Sequence, residues 1–152
     1  MKTTKVIALM MASIFIVVPG LHAACSTASI AGRFGFTTTG FIPEVGPVAA
    51  TGIFTQDASG NITGTQTRSL NGGVADETFT GTATVNSDCT GTDTVQVFQD
   101  GSLVRTTTLH VVYDDNGREA RAIFTSLVLP NGVSLPSIII IEARKLFSRE
   151  AD

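Results

Sequence analysis

Side chains suited to acid–base chemistry are scarce after residue 23 and gather on one segment. His110 and Tyr113 are the one histidine and the one tyrosine of that part of the chain, and they lie three positions apart. A histidine that works as a general base needs a second group to orient its ring, and no such group stands at a recognisable spacing from His110. We therefore predict that His110 is solvent-exposed and that Tyr113 is a core ring whose hydroxyl reaches the rim of the fold.

Several charged residues stand in the middle of strand-like stretches instead of in turns, among them Arg68, Glu77, Arg105, Arg121, Glu142 and Arg144. A buried charge is costly unless it is paired, so any of these that face inward mark a polar site. Strand alternation places Arg105 on the same face as Tyr113, and Glu142 on the same face as Ile140. We predict a ligand-binding site formed by Arg105, Tyr113 and Glu142, with an Arg105–Glu142 pair at the mouth of a cavity. The alternative is that these charges pair across strands on a solvated face.

Motifs for metal, cofactor or covalent chemistry are missing from the sequence. After residue 23, one histidine without a Cys-x-x-Cys motif provides too few ligands for zinc, and the segment 57–61 lacks the spaced acidic residues of a calcium loop. A Gly-x-Ser-x-Gly nucleophile elbow is also missing. We expect no metal, no cofactor and no catalytic residue.

The first 23 residues have the three parts of a secretory signal peptide. Two lysines precede an uncharged apolar run over 6–18, a Pro and a Gly follow, and a small residue stands at position 23. The run is too short to cross a bilayer. We predict that residues 1–23 are removed, that residues 24–152 form a single domain, and that the protein is secreted or periplasmic. The alternatives are a retained anchor and lipid attachment at Cys25, although His22 replaces the aliphatic residue that the lipid-attachment motif requires.

Both cysteines, Cys25 and Cys89, remain in the mature chain, and paired cysteines are typical of small exported proteins. A Cys25–Cys89 disulfide would close a loop of about 65 residues, which contributes on the order of 4 kcal/mol to stability. It would hold the N-terminal segment against the domain. A redox-active thiol is the alternative, but no neighbouring Cys, His or Lys stands ready to lower a thiol pKa.

Charge and hydropathy argue against two classes of partner. The chain has 10 basic and 13 acidic residues, and residues 1–23 hold two of the basic and none of the acidic ones, so the mature net charge is −5. The basic residues are scattered, and nucleic acid and anionic membrane surfaces are therefore poor partners. After residue 23 the most apolar run, 137–141, has the length of a strand and is too short for a membrane helix.

Turn signals recur at regular intervals and delimit eight segments of strand length. Clusters of Gly, Pro, Asn and Asp occur at 43–47, 57–61, 71–73, 86–88, 100–101, 115–117 and 130–132. The segments between them, at 31–41, 47–56, 62–70, 74–85, 90–99, 102–114, 118–129 and 137–147, are rich in Thr, Val, Ile and Phe. None has the apolar period of a stable helix. The sequence predicts an all-β protein.

Short connections make consecutive strands antiparallel, which gives an up-and-down meander. Closing the sheet removes its two free edges, so we predict an eight-stranded antiparallel barrel, with a two-sheet β-sandwich as the alternative. A two-residue turn at Asn116-Gly117 would place Tyr113 opposite Ala120, with Phe124 and Val128 on the same inward face. A barrel of this size is filled by its own side chains or holds one small ligand.

A pattern of short motifs runs through most of the mature chain. It consists of Cys25-Ser26, Ala31-Gly32-Arg33-Phe34-Gly35-Phe36, Gly60-Asn61-Ile62-Thr63-Gly64, Asn71-Gly72 and the segment 79–92, which ends in Asn86-Ser87-Asp88-Cys89-Thr90-Gly91-Thr92. In these motifs the chain resembles a group of small exported bacterial proteins of unassigned function. The resemblance supports pairing of the opening cysteine with the cysteine of the Asn-x-Asp-Cys-Thr-Gly-Thr element. In fold, the chain is also similar to allene oxide cyclase and dirigent barrels and to lipocalins, although the lipocalin Gly-x-Trp motif is missing.

From these features we predict a non-enzymatic exported barrel that binds a small apolar ligand or an extracellular partner. One alternative is a cyclase- or isomerase-like enzyme, which needs two ionisable groups with shifted pKa values inside the barrel. Another is a structural or surface-adhesion protein, which would follow if aromatic rings fill the interior. The candidate filling residues are Phe34, Phe36, Phe54, Phe79, Phe98 and Phe124.

Overall fold

All eight predicted strands are present in the computed structural model, which describes residues 24–147. In chain order the elements are a helix α1 (Thr27–Ile30) and the strands β1 (Gly32–Ile42), β2 (Gly46–Gln56), β3 (Asn61–Leu70), β4 (Gly73–Val85), β5 (Thr90–Gln99), β6 (Ser102–Asp114), β7 (Glu119–Val128) and β8 (Ile138–Lys145). Each strand pairs antiparallel with the next one along the chain, and β1 also pairs with β8, which closes the sheet. The predicted up-and-down barrel is confirmed, and the sandwich alternative is excluded.

The predicted signal peptide, residues 1–23, lies outside the described residues, as do residues 148–152. Its removal therefore stays a prediction. Over residues 24–147, no helix combines the length and the hydropathy needed to cross a membrane.

Two of the predicted turns, at 71–73 and 100–101, form two-residue hairpin connections. Asn71 and Gly72 have φ of 48° and 86°, and Asp100 and Gly101 have φ of 50° and 78°. Both positions of such a turn need a left-handed backbone, which Asn, Asp and Gly adopt at the lowest cost. These four residues therefore set the register of β3 with β4 and of β5 with β6.

The β6–β7 hairpin has the predicted register but a longer turn. Tyr113 pairs with Ala120, as the sequence predicts. The connection takes four residues, 115–118, instead of the two at Asn116-Gly117, and it includes a short 3-10 turn. The register is unchanged because one residue is added on each side of the turn.

A bulge in β7 reverses the predicted faces near the end of that strand. The register of β6 with β7 shifts between Thr108 and Leu109, which leaves Thr125 as an extra residue in β7. Beyond the bulge Leu127 is buried, whereas Val128 is only half-buried. The prediction that Val128 faces inward is wrong, because one inserted residue reverses the alternation of side chains.

Helix α1 closes the end of the barrel where β1 begins. Its last residue, Ile30, is 1% exposed and packs into the main core. The Cys25–Cys89 disulfide ties the segment before α1 to the β4–β5 turn, where the Cys25 N–H also donates a hydrogen bond to the Ser87 carbonyl. Gly117 makes room for the helix, since a Cβ at that position would lie 2.7 Å from Ile30 Cδ1. The predicted disulfide is confirmed, and it leaves no Cys25 thiol for lipid attachment.

Aromatic rings fill the end of the barrel interior next to helix α1, which we call the plug. Phe34 stacks on Phe54 with 5.0 Å between ring centroids, and Phe79 meets Phe36 edge-on at 5.9 Å. A smaller apolar cluster at the opposite end of the barrel contains Ile42, Val48, Leu127 and Ile139. The phenylalanines leave part of the interior unfilled, and a cavity remains.

Candidate functional site

The cavity has a volume of about 280 Å³ and is lined by inward-facing side chains from all eight strands. It extends from Tyr113 and Ala143, near the plug, to the exposed Val45 at the opposite end. Most lining side chains are apolar, and the charged residues among them are Arg68, Glu77, Asp93 and Arg105. Small-molecule sites in proteins typically have about 300–1,000 Å³ and the same composition of apolar walls with a few polar groups. The volume of this cavity lies just below the lower end of that range.

Glu77 is the centre of a polar cluster on the cavity wall. Its side chain is fully buried, and its two oxygens accept four hydrogen bonds. Arg105 Nη1 donates to Oε1 at 2.8 Å, and Arg105 Nη2 donates to Oε2 at 2.7 Å. Arg68 Nε donates to Oε1 at 2.8 Å, and Gln66 Nε2 donates to Oε2 at 2.7 Å. The Glu77 carboxylate therefore has no acceptor capacity left.

The charge state of Glu77 follows from these partners. Burial by itself would raise the pKa of Glu77, but the hydrogen bonds and the positive charge of Arg105, with the hydrogen bonds from Arg68 and Gln66, outweigh burial and lower the pKa to about 2. Glu77 is thus ionised at neutral pH. The cluster holds two positive charges and one negative charge.

Regular alternation along β6 turns Arg105 toward this cluster, on the same face as Thr107 and Leu109, and a bulge next to Arg105 adds Val104 to the cavity wall. The register of β5 with β6 shifts between Val97 and Phe98, which leaves Val104 as an extra residue in β6. Val104 and Arg105 consequently both line the cavity. Strands β4 and β6 flank β5, so an inward Arg105 can span the width of β5 to reach Glu77.

A second polar cluster lies toward the plugged end and consists of Gln56, Asp93 and Tyr113. The three residues are 2%, 8% and 5% exposed. In the described part of the chain, Gln56 Nε2, Asp93 Oδ1 and the Tyr113 hydroxyl have no hydrogen-bond partner. A buried polar atom without a partner costs about 1–3 kcal/mol. Asp93 and Tyr113 line the cavity and Gln56 does not, so the hydrogen-bonding capacity that a bound polar group could satisfy at this floor is that of Asp93 and Tyr113.

The ionisation of the floor residues is shifted in the direction that burial dictates. Burial raises the pKa of Asp93 to about 7. Burial also raises the pKa of Tyr113, the charge of Asp93 raises it further, and the Gln56 side chain acts in the opposite direction. The three side chains thus lie close together, although Gln56 and the Tyr113 hydroxyl miss the geometry of a hydrogen bond. Asp93 exchanges its proton near neutral pH.

Two of the three predicted ligand-binding residues face the cavity. Arg105 and Tyr113 line it, whereas Glu142 is exposed on the outer wall, opposite Arg121 of β7. The predicted Arg105–Glu142 pair is wrong, since the partner of Arg105 is Glu77. Glu142 does share a face with Ile140, but that face points outward and Ile140 is 47% exposed. Isoleucines occupy both faces of β8, so hydropathy does not distinguish its inner face.

The sequence analysis placed one other polar residue correctly and missed two that are buried inside the barrel. His110 is exposed on the outer wall, as predicted. The sequence analysis missed Asp93 as a functional candidate. Asp93, Val95 and Val97 stand at every second position of β5 and are all buried, so the strand period was the signal that could have identified Asp93. Gln56 was also missed, because it ends β2 beside a turn and carries no charge that would single it out.

Comparisons with known proteins show similarity at the level of fold. No protein family matches the sequence, and no curated protein matches it either. The structure is similar to that of a redesigned β-barrel, mFAP1, bound to DFHBI, with 16% sequence identity and a TM-score of 0.53 over 79% of this chain and 98% of that chain. It is also similar to the S-type phycobiliprotein lyase CPES from Guillardia theta, with 7% identity and a TM-score of 0.43 over 78% of this chain and 89% of the lyase. The likeness to mFAP1 shows a β-barrel fold alone.

Proposed function

We propose that this protein binds a small, mainly apolar molecule in the cavity of the barrel. The observation that carries the proposal is the cavity of about 280 Å³, which is walled by apolar side chains and contains a few convergent polar groups. Arg105 and Tyr113 are the predicted contact residues that line it. The redesigned barrel of similar fold is bound to the small molecule DFHBI, which supports the same use of the interior here.

The hydrophobic effect provides the driving force for binding an apolar ligand in this cavity. Removing about 300 Å² of apolar surface from water contributes roughly 7 kcal/mol, before the cost of association is subtracted. The polar groups of the cavity orient the ligand. A ligand that displaced water from these groups without replacing its hydrogen bonds would bind more weakly. A ligand with one polar end and an apolar body fits these conditions.

The test of binding is a titration with a neutral apolar fluorophore, Nile red, followed by native mass spectrometry of protein purified from its own host. We expect a saturable rise in Nile red fluorescence at a stoichiometry of one and a copurified molecule of a few hundred daltons. Fluorescence that does not saturate, together with a mass spectrum of the bare chain, would contradict a role in ligand binding.

We further propose that residues 1–23 are a signal peptide and that the protein works outside the cytoplasm. The Cys25–Cys89 disulfide supports this location, because such bonds persist in oxidising compartments. The mass of the protein recovered from the medium or periplasm tests it. We expect the mass of residues 24–152 less two hydrogens, and a mass that includes residues 1–23 would contradict cleavage.

A second candidate function is an acid–base enzyme, such as a cyclase or isomerase. The observation that favours it is that Asp93 and Tyr113 both line the floor of the cavity and that burial raises the pKa of Asp93 to about 7, since a general acid or base works best when its pKa lies near the working pH. The copurified molecule would be incubated with the protein and with the variant Asp93→Asn. Conversion by the natural protein and not by the variant supports catalysis, and an unchanged molecule contradicts it.

A further inference from the structure

We propose that the ligand is an apolar carboxylate, whose single negative charge is held by Arg68 and Arg105 while its hydrocarbon part occupies the cavity. This inference rests on the proposed function and names the ligand class. It is carried by the charge balance, the remaining hydrogen-bond donors and the surroundings of the Glu77 cluster.

The charge balance of the cluster leaves one positive charge. Glu77 neutralises one of the two guanidinium groups, and the other charged residue of the cavity lining, Asp93, lies in the separate floor cluster. A positive charge without a counterion in an apolar cavity is costly. A ligand that carried one negative charge would bring the cluster to neutrality.

The hydrogen-bond donors of the cluster are also in excess. Glu77 accepts four bonds, but Arg68 gives it only Nε and Arg105 gives it only the two terminal nitrogens. Within residues 24–147, Arg68 donates hydrogen bonds through Nε and not through its terminal nitrogens. The side chains of Arg68 and Arg105 are 15% and 16% exposed and belong to the cavity lining. Their remaining N–H groups are accessible to a ligand that enters the barrel.

A carboxylate fits these donors better than a phosphate or a neutral group does. Its single charge equals the excess charge of the cluster, whereas a phosphate monoester carries about −1.5 to −2 at neutral pH. Its two planar oxygens accept parallel hydrogen bonds from a guanidinium fork. A neutral ligand would expel water from the cavity and leave the guanidinium donors unsatisfied.

The neighbourhood of Arg68 explains why the rest of the ligand must be apolar. Arg68 pairs across β2 and β3 with Ala50, and Leu70 follows it on the same inward face. The apolar cluster of Val48 and Leu127 stands at the same end of the barrel. A carboxylate bound at Arg68 therefore places its chain among aliphatic side chains.

Direct calorimetry with decanoate and 1-decanol at pH 6, where decanoate is ionised and Asp93 keeps its proton, tests the inference, because the two probes share their chain and differ in the charged group. We expect decanoate to bind at least tenfold more tightly than 1-decanol. The variant Arg68→Met, which removes the excess charge and keeps an unbranched, mainly apolar side chain, should abolish this preference. Arg68→Lys, which retains the charge, should keep most of it.

The matched control is Arg121→Met on the outer wall, which should leave both affinities within twofold of the natural protein. Equal binding of decanoate and 1-decanol, or a preference that survives in a folded Arg68→Met variant, would overturn the carboxylate assignment and leave the apolar site standing. Binding of neither probe to the natural protein would overturn the proposed function as well. Circular dichroism verifies the fold of each variant. Loss of the preference for decanoate in Arg68→Met, together with its retention in Arg68→Lys, supports the carboxylate assignment whatever the relative stabilities of the two variants.

Discussion

Arg105 on β6 and Glu77 on β4 meet inside the barrel through two parallel hydrogen bonds of 2.8 and 2.7 Å, across the width of the intervening strand β5. The bidentate geometry holds the guanidinium of Arg105 in one orientation. It also buries a carboxylate whose other hydrogen bonds come from Arg68 and Gln66 of β3. One acidic residue thereby organises the polar wall of an otherwise apolar cavity.

Removal of the Glu77 charge should destabilise the protein strongly. The variant Glu77→Gln leaves two guanidinium groups in the interior without a counterion, and breaking a buried ion pair in this way typically costs about 3–5 kcal/mol. Urea unfolding followed by circular dichroism measures the loss. The control is Glu142→Gln on the outer wall, for which a change within about 0.5 kcal/mol is expected. Equal effects of the two substitutions would contradict the buried cluster.

The stability of the protein should fall as the pH rises from 5 to 7. Burial raises the pKa of Asp93 from 3.8 to about 7, so the unfolded chain loses this proton at a lower pH than the folded protein does. The contribution of Asp93 is therefore complete below pH 3.8 and is lost as the pH rises through the folded pKa. We expect a decrease on the order of 2–3 kcal/mol in the free energy of unfolding over this interval.

The same experiment on two variants separates Asp93 from other groups. Asp93→Asn should flatten the profile between pH 5 and 7, while Asp76→Asn on the exposed face of β4 should leave its slope unchanged. Glu77 does not contribute in this interval, because its pKa is lowered to about 2 and its stabilisation is complete above pH 4.5. A slope that persists in Asp93→Asn would show that another group titrates.

Loss of the disulfide should free the plug from the barrel. The disulfide joins residues that are 64 positions apart and so restricts the unfolded chain. In the double variant Cys25→Ser, Cys89→Ser, the unfolded chain regains this conformational entropy, and we expect the free energy of unfolding to fall by about 4 kcal/mol. Thermal unfolding with and without a reducing agent measures the effect in the natural protein. The double variant serves as the control, since the reducing agent should not change its midpoint. A midpoint of the natural protein that the reducing agent does not shift would contradict a stabilising role.

A large side chain introduced into the cavity should block ligand binding without unfolding the barrel. Ala50 lines the cavity beside Arg68, whereas its neighbour Ala49 is exposed on the outer wall. We expect Ala50→Phe to weaken Nile red binding at least tenfold, and Ala49→Phe to leave it unchanged. Both variants should keep the circular dichroism spectrum of a β protein. Undiminished binding by Ala50→Phe would place the bound probe elsewhere.

The strands and their order were predictable because the information is local. Turn residues such as Asn71-Gly72 adopt left-handed backbone at low cost, and their spacing defines strands within one or two residues of those observed. The Cys25–Cys89 pairing was also predictable, since a chain with two cysteines has one intramolecular pairing available. Alternation correctly placed Arg105 and Tyr113 on a common face.

The partners inside the barrel depend on contacts that only closure of the sheet creates. Alternation divides a strand into two faces, but in β8 isoleucines lie on both, and pairing with β1 and β7 decides that Glu142 faces outward. The positions of β4 and β6 on either side of β5 bring Arg105 to Glu77. Such contacts join side chains that are distant in sequence and separated by a strand, so neither the period of a single strand nor the register of a single hairpin contains them.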